Sequence, residues 1–247
     1  MIEARARLSV TGASLAEDGP VFDDEFAGGE IVGLAGLDGH GQEAFLEALA
    51  GWRPLARGEI ALVRDGAATP IRGFRRAAAS GVGYLPRDRR TSGLFPNLSV
   101  LDNFAIASIA RDLRFGLIDR GARRRRFEAL RRRLSIVVAD PDHSIAHLSG
   151  GNQQKVLLAR LLARDPVALL LNDPTRGVDV ATRRMLYRIL RELAESGMAL
   201  VMVSTEIQEL IELCDRILVF RENRLSKRLP VAGLTSDRLI AAMFGEA

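Results

Sequence analysis

Leu148-Ser149-Gly150-Gly151-Asn152-Gln153-Gln154-Lys155 is the stretch on which the reading of this chain turns. A serine and two glycines stand where a helix begins, and residues 156–163 continue as a good helix former. Helix N-termini expose unpaired N–H groups and carry partial positive charge, so such a start can grip a phosphate. On these residues alone an ordinary Ser N-cap followed by glycines fits as well.

Outward from that helix, apolar runs alternate with helical ones. Downstream, strands are expected at 167–171, 199–203 and 216–220, with helices at 182–195 and 207–213 and a last helix opening at Thr235 or Ser236 and ending near 244. Upstream, 7–10, 30–36, 59–63 and 81–85 read as strands and 42–50 as a helix. Residues 87–147 change to a helical pattern, with helices expected at 101–110 and 122–134. Apolar strands alternating with helices imply a buried, mostly parallel sheet and an α/β class. No internal repeat, low-complexity linker or second domain is visible.

Composition narrows the function. The 247 residues suffice for a full core as one domain, and 47% hydrophobic with 27% charged residues is ordinary for a globular protein. No apolar run reaches the roughly 20 residues of a membrane helix, and the N-terminus has no signal-peptide core, so a cytosolic protein is expected. Cys214 is the sole cysteine, which excludes an internal disulfide and a cysteine metal cluster. The net charge is +4, and Lys155 and Lys227 are the only lysines.

A second glycine run, Gly36-Leu37-Asp38-Gly39-His40-Gly41-Gln42-Glu43, follows an expected strand and opens an expected helix. That is the context of a P-loop, whose backbone N–H groups cradle phosphates while a Lys reaches the β/γ-phosphates and a Ser/Thr hydroxyl binds Mg²⁺. Gln42 and Glu43 occupy those two positions. Gln brings no charge, and Glu43, with Asp38 nearby, adds negative charge where the ligand is itself negative. His40 could touch a phosphate if charged; His143 and His147 read as surface or packing residues.

The LSGGNQQK string resembles the signature of the ATP-binding cassette (ABC) ATPases, in the spelling of carbohydrate-importer subunits. Fragments 87–90 with Gly93-Leu94, 174–180 and 215–219 are similar to the second ABC domain of monosaccharide importers, and 37–42 looks closer to nucleoside importers. The resemblance runs from Glu30 to the C-terminus. It implies a single P-loop NTPase-like α/β nucleotide-binding domain over 1–247. That fold has a mostly parallel core sheet, an antiparallel β edge, and a helical subdomain at about 87–150 carrying the signature at its end.

It also implies ATP and Mg²⁺ as cofactors, and roles for individual residues. ABC ATPases carry Asp-Glu where this chain has Asn172-Asp173. Asn172 is a neutral substitute for a Mg²⁺ carboxylate, so with Glu43 it occupies a metal-ligand position without providing a confident metal site. Asp173 keeps the catalytic carboxylate one methylene short, and a misplacement of about 1 Å can cost on the order of 10²-fold in rate. Arg87 stands where a glutamine usually follows the strand, Thr205 where a switch histidine is expected, and no aromatic precedes Phe22 where an adenine-stacking ring usually sits. Each missing group costs about 10²–10³ in rate, so the site on this chain's own loop is expected to be nearly inert.

In this family two ABC domains meet head to tail, each signature closing over the other's ATP. By that resemblance Ser149, Gly150, Gly151 and Gln153 serve a partner's nucleotide, and Asp179 matches the D-loop at the same interface. The implied partners are an ABC domain with intact Walker motifs, an integral membrane permease and, indirectly, a solute-binding protein. The implied location is the cytoplasmic face of the membrane. Two other readings stay open: a fully active homodimeric ATPase, and an ABC protein acting on nucleic acid or ribosomes. The arginines at 123–126 and 131–133 invite the last, but a solvated helix face explains them, and Phe127 alone interleaves with them. No nucleic-acid partner is expected.

Overall fold

The computed structural model describes residues 6–246. Cα packing divides them into two units. One runs to Tyr84, takes in Val167–Asp173 and resumes at Leu190; the other comprises Leu85–Pro166 and Pro174–Ile189.

The first unit holds two sheets. Strands β1 (Ala6–Ser14), β2 (Phe22–Ala27), β4 (Arg57–Arg64) and β5 (Ala67–Pro70) form an antiparallel sheet in the order β2-β1-β4-β5. Strands β3 (Ile31–Ala35), β6 (Val82–Leu85), β9 (Ala168–Asn172), β10 (Ala199–Val203), β11 (Arg216–Arg221) and β12 (Arg224–Pro230) form the other, ordered β12-β11-β3-β10-β9-β6. β11, β3, β10 and β9 run parallel, and β12 closes one edge antiparallel to β11. The sequences explain the placement. Ile31-Val32-Gly33-Leu34-Ala35, Ala168-Leu169-Leu170-Leu171-Asn172 and Ala199-Leu200-Val201-Met202-Val203 are buried at every position, as central strands covered on both faces must be. β12 alternates exposed and half-buried positions, as an edge strand does.

Helices α1 (Gln42–Leu49), α2 (Phe74–Ser80), α7 (Ile207–Leu213) and α8 (Ser236–Phe244) belong to the same unit. The core gathers Phe26, Phe45 and Phe220 with the apolar faces of α1 and both sheets. Each such ring removed from water contributes about 1.5–3 kcal/mol. Phe22 opens β2 and packs on Phe45 and Phe220, with ring centroids 5.4 and 6.2 Å away.

The second unit is helical: α3 (Val100–Ala105), α4 (Arg120–Arg133), α5 (Gly150–Leu162) and the start of α6 (Val180–Glu195), with a two-residue hairpin of β7 (Leu113–Arg114) and β8 (Leu117–Ile118). The helix expected over 101–110 stops at Ala105 and continues as a 3₁₀ stretch, Ile106–Asp112, kinked at Ser108. The kink delivers Asp112 to a fully buried position, where it takes salt bridges from Arg123 (3.0 Å) and Arg126 (2.5 Å). The arginine run of α4 is therefore only partly a solvated face. Arg123 is buried and also reaches Asp102 at 2.7 Å, Arg124 pairs with Asp142, and Phe127 packs edge-on against Phe104. No helix among the described residues is long and apolar enough to cross a membrane.

Candidate functional site

The glycine loop does what its sequence context requires: it leaves the buried strand β3 and opens α1. Gly39 and Gly41 adopt φ of 76° and 108°, and α1 begins at Gly41 without a side-chain cap. Its first-turn N–H groups suit a phosphate. Across the turn His40 N donates to Leu37 O at 3.0 Å, and Asn223 N donates to His40 O at 3.0 Å.

The side chains of the loop are arranged differently. Gln42, at the lysine position, is 7% exposed and turns inward, its amide donating to Gly36 O (3.1 Å) and Leu37 O (2.9 Å). A Cβ on Gly36 would come within 2.6 Å of Gln42 Oε1 and 2.8 Å of Phe220 O, so a glycine is needed to admit the folded amide. Gln42 Oε1 and His40 Nδ1 are buried without a hydrogen-bond partner. Both lysines are committed elsewhere: Lys155 Nζ donates to Ser135 O (2.9 Å) and Lys227 Nζ to Glu246 O (2.8 Å). Asp38 is exposed and Glu43 lies in the first turn of α1, both anions beside the cradle.

At the end of β9, Asn172 is buried with Oδ1 unpartnered. Burial raises the Tyr84 pKa, with the neighbouring Asn172 side chain opposing the shift. Asp173 sits at φ 48°, and its Oδ1 accepts from Thr205 N (2.7 Å) and Thr205 Oγ1 (3.2 Å). The structure thus brings Asp173 and Thr205 together, but as acceptor and donor of one another. Among the described residues no three His, Cys, Asp or Glu side chains are placed to hold a metal ion. The backbone cradle fits a phosphate group. The side-chain set, with neutral Asn172 and inward-turned Gln42, does not fit Mg²⁺.

The second unit carries the other motif. Ser149 is exposed and caps α5, its Oγ accepting from Asn152 N (3.4 Å) and Asn152 Nδ2 (3.0 Å). The glycines after it allow close approach. A Cβ on Gly150 would lie 2.6 Å from Arg89 Nη2 and 3.1 Å from Gly177 O, and one on Gly151 would lie 2.7 Å from Thr182 Cγ2. Thr182 is fixed by Asp179, which accepts from its N–H (2.9 Å) and hydroxyl (2.8 Å). These bonds hold the Asp179 carboxyl below the usual carboxylate range. Gln153 donates to Ile145 O and accepts from Arg89 Nε.

Arg89 and Thr182 were not among the expected site residues. Arg89 donates to Arg176 O (2.6 Å) and Gly177 O (3.4 Å), joining its own turn to the signature helix and to the segment before α6. Its place directly after Asp88, which caps the turn, was the available signal. Arg87, which stands where the family usually has a glutamine, is half-buried within the second unit.

A family model for the ABC transporter matches residues 23–176. The chain belongs to the ABC transporter family.

Among its ABC relatives is the ribose import ATP-binding protein RbsA 1 of Rhizobium etli, 44% identical over 216 residues, which are 87% of this chain and 42% of that protein. Another is a putative ribose/galactose/methyl galactoside import ATP-binding protein of Agrobacterium fabrum, 40% identical over 97% of this chain and 48% of its own. This ABC chain therefore spans less than half the length of the relatives it matches. The post-hydrolysis dimer of the ATP-binding cassette MJ0796, solved with ADP and Pi, superposes with a TM-score of 0.74 at 21% identity, over 92% of this chain and all of that one. At that identity the likeness speaks for the fold, an α/β ABC cassette.

Proposed function

We propose that residues 1–247 act as one ABC nucleotide-binding domain of a sugar-type importer, paired with a second ABC domain whose Walker motifs are intact. In this pairing Ser149, Gly150 and Gly151 close over ATP held by the partner, while this chain's own loop contributes little to hydrolysis. An integral membrane permease and a solute-binding protein complete the assembly, with this domain on the cytoplasmic face. The names of the relatives, ribose and galactoside import ATP-binding proteins, support a sugar as the transported class.

The observation that carries this reading is the contrast between the two motifs. Gln42 is folded onto the carbonyls of its own loop, whereas Ser149 stands exposed at the start of α5. A loop whose would-be phosphate ligand donates inward has no positive side chain to offer the β/γ-phosphates. Phosphoryl transfer depends on such positioning and charge. A serine hydroxyl with an open helix start still presents donors to an incoming phosphate.

Ser149→Arg in the assembled complex is the test. It is expected to abolish ATP turnover and transport while leaving the assembly intact on gel filtration. Survival of both activities would overturn the pairing.

A further inference from the structure

Arg87, Asp88, Arg89, Arg90, Arg176 and Gly177 bound a cavity of about 340 Å³ that lies wholly within the second unit. Four guanidinium groups line it against one carboxylate. That carboxylate is committed, because Asp88 accepts from the backbone N–H groups of Arg90 (2.8 Å) and Thr91 (3.2 Å). These bonds hold its pKa below the ordinary value. Arg89 is committed too, to two backbone carbonyls and to Gln153.

Arg90 and Arg176 are in a different situation. Both are exposed, and neither guanidinium has a hydrogen bond or salt bridge to a described residue, Arg176 being attracted only through space by the Asp88 carboxylate. Arg89 registers the crowding of charge: burial first, then the neighbouring Arg90, draw its pKa below the usual arginine value. Cations gathered at one cavity repel one another unless an anion joins them. Guanidinium forks match phosphate oxygens two at a time, which an ammonium cannot do.

We infer that this cavity is a binding site for a phosphoryl anion, gripped by Arg90 and Arg176 above a floor made by the anchored Arg89. Its wall is shared with the signature, since Gly150 lies against Arg89 and Gly177. The site is separate from the Ser149 helix start, and it stands whether or not that start serves a partner's nucleotide. The phosphoryl group could arrive as free phosphate or as the phosphate end of a nucleotide.

Calorimetric titration of the full chain with inorganic pyrophosphate, and in parallel with Mg²⁺-free ATP, tests the inference against the R90Q/R176Q double variant. Because both side chains are exposed and make no hydrogen bond or salt bridge to a described residue, the double variant should melt with the parent, which a thermal scan verifies. Saturable pyrophosphate binding is expected, weakened about tenfold per guanidinium and so about 100-fold in the double variant. Equal affinities for pyrophosphate and ATP, lost together, assign the site to free phosphate; tighter ATP binding with the same loss assigns it to a nucleotide. Absence of saturable pyrophosphate binding, or binding that the double variant retains, overturns it.

Discussion

Gln42→Ala separates two roles that this position could have. In the structure the Gln42 amide makes two hydrogen bonds to loop carbonyls and is 7% exposed. Each such bond contributes about 1 kcal/mol net, and a carbonyl left unsatisfied costs about 1–3 kcal/mol. Removing the amide also removes the unpartnered Oε1, which offsets part of the loss. The expected net destabilisation is about 2 kcal/mol, which for a domain of this size lowers Tm by about 4–8 °C. Scanning calorimetry gives the stability, and fluorescence titration with a labelled ATP analogue gives the affinity of the isolated chain. The structure predicts lower stability with nucleotide affinity unchanged. A variant that melts with the parent but binds ATP more weakly would show that Gln42 is a phosphate ligand, and the reading of this loop would be refuted.

Other variants probe the supports of the two motifs. Gly151→Ala would ordinarily gain about 1 kcal/mol of helix propensity, but its Cβ meets Thr182 Cγ2 at 2.7 Å, so a loss is expected in urea melts. Adding Thr182→Ser, which removes that methyl and keeps the hydroxyl for Asp179, should recover part of the loss, the retained Oγ1 and Cβ standing 3.1 and 3.2 Å away. Asp112→Ala leaves Arg123 and Arg126 without their buried counter-ion, a change that costs about 3–5 kcal/mol when a buried pair is broken; the same melts would read it. Asp88 and Asp179 have pKa values depressed mainly by backbone N–H donors. Their contribution is therefore complete above the ordinary carboxylate value of 3.8 and lost as pH falls through the lower folded value. The acid limb of a stability profile between pH 6 and 2 should be flatter in Asp179→Asn.

The local geometry of the glycine loop and of the signature was legible because each is a contiguous string at a strand–helix or loop–helix junction, where local geometry follows local sequence. The central strands were legible for the same reason, being uninterrupted apolar runs. What escaped depended on distant partners. β2, Phe22-Asp23-Asp24-Glu25-Phe26-Ala27, looks too acidic for a strand until Arg216 and Arg228 of the other sheet arrive to pair with Asp24. The 122–134 helix read as a solvated arginine face because nothing nearby in sequence announces that Asp112 is buried. Only the kink at Ser108 puts it there. The loop at 36–43 gave the positions of Gln42 and Glu43 but not the direction of the Gln42 amide, which folds onto Gly36 O and Leu37 O in space that a Cβ on Gly36 would fill. For Arg89 the sequence offered only its place after the capping Asp88; its main acceptors are the backbone carbonyls of Arg176 and Gly177, which carry no residue signature.

The central claim is that this domain lends its signature and does not run its own site. It is tested most directly by comparing Asp173→Asn with Ser149→Arg in the same assembled complex, following Mg²⁺-ATP hydrolysis. Asn retains an oxygen to accept from Thr205 N while removing the carboxylate charge. Turnover within about twofold of the parent is expected for Asp173→Asn and its loss for Ser149→Arg, since a needed hydrolytic group is worth about 10²–10³ in rate. Loss of turnover in Asp173→Asn with turnover kept in Ser149→Arg would contradict it.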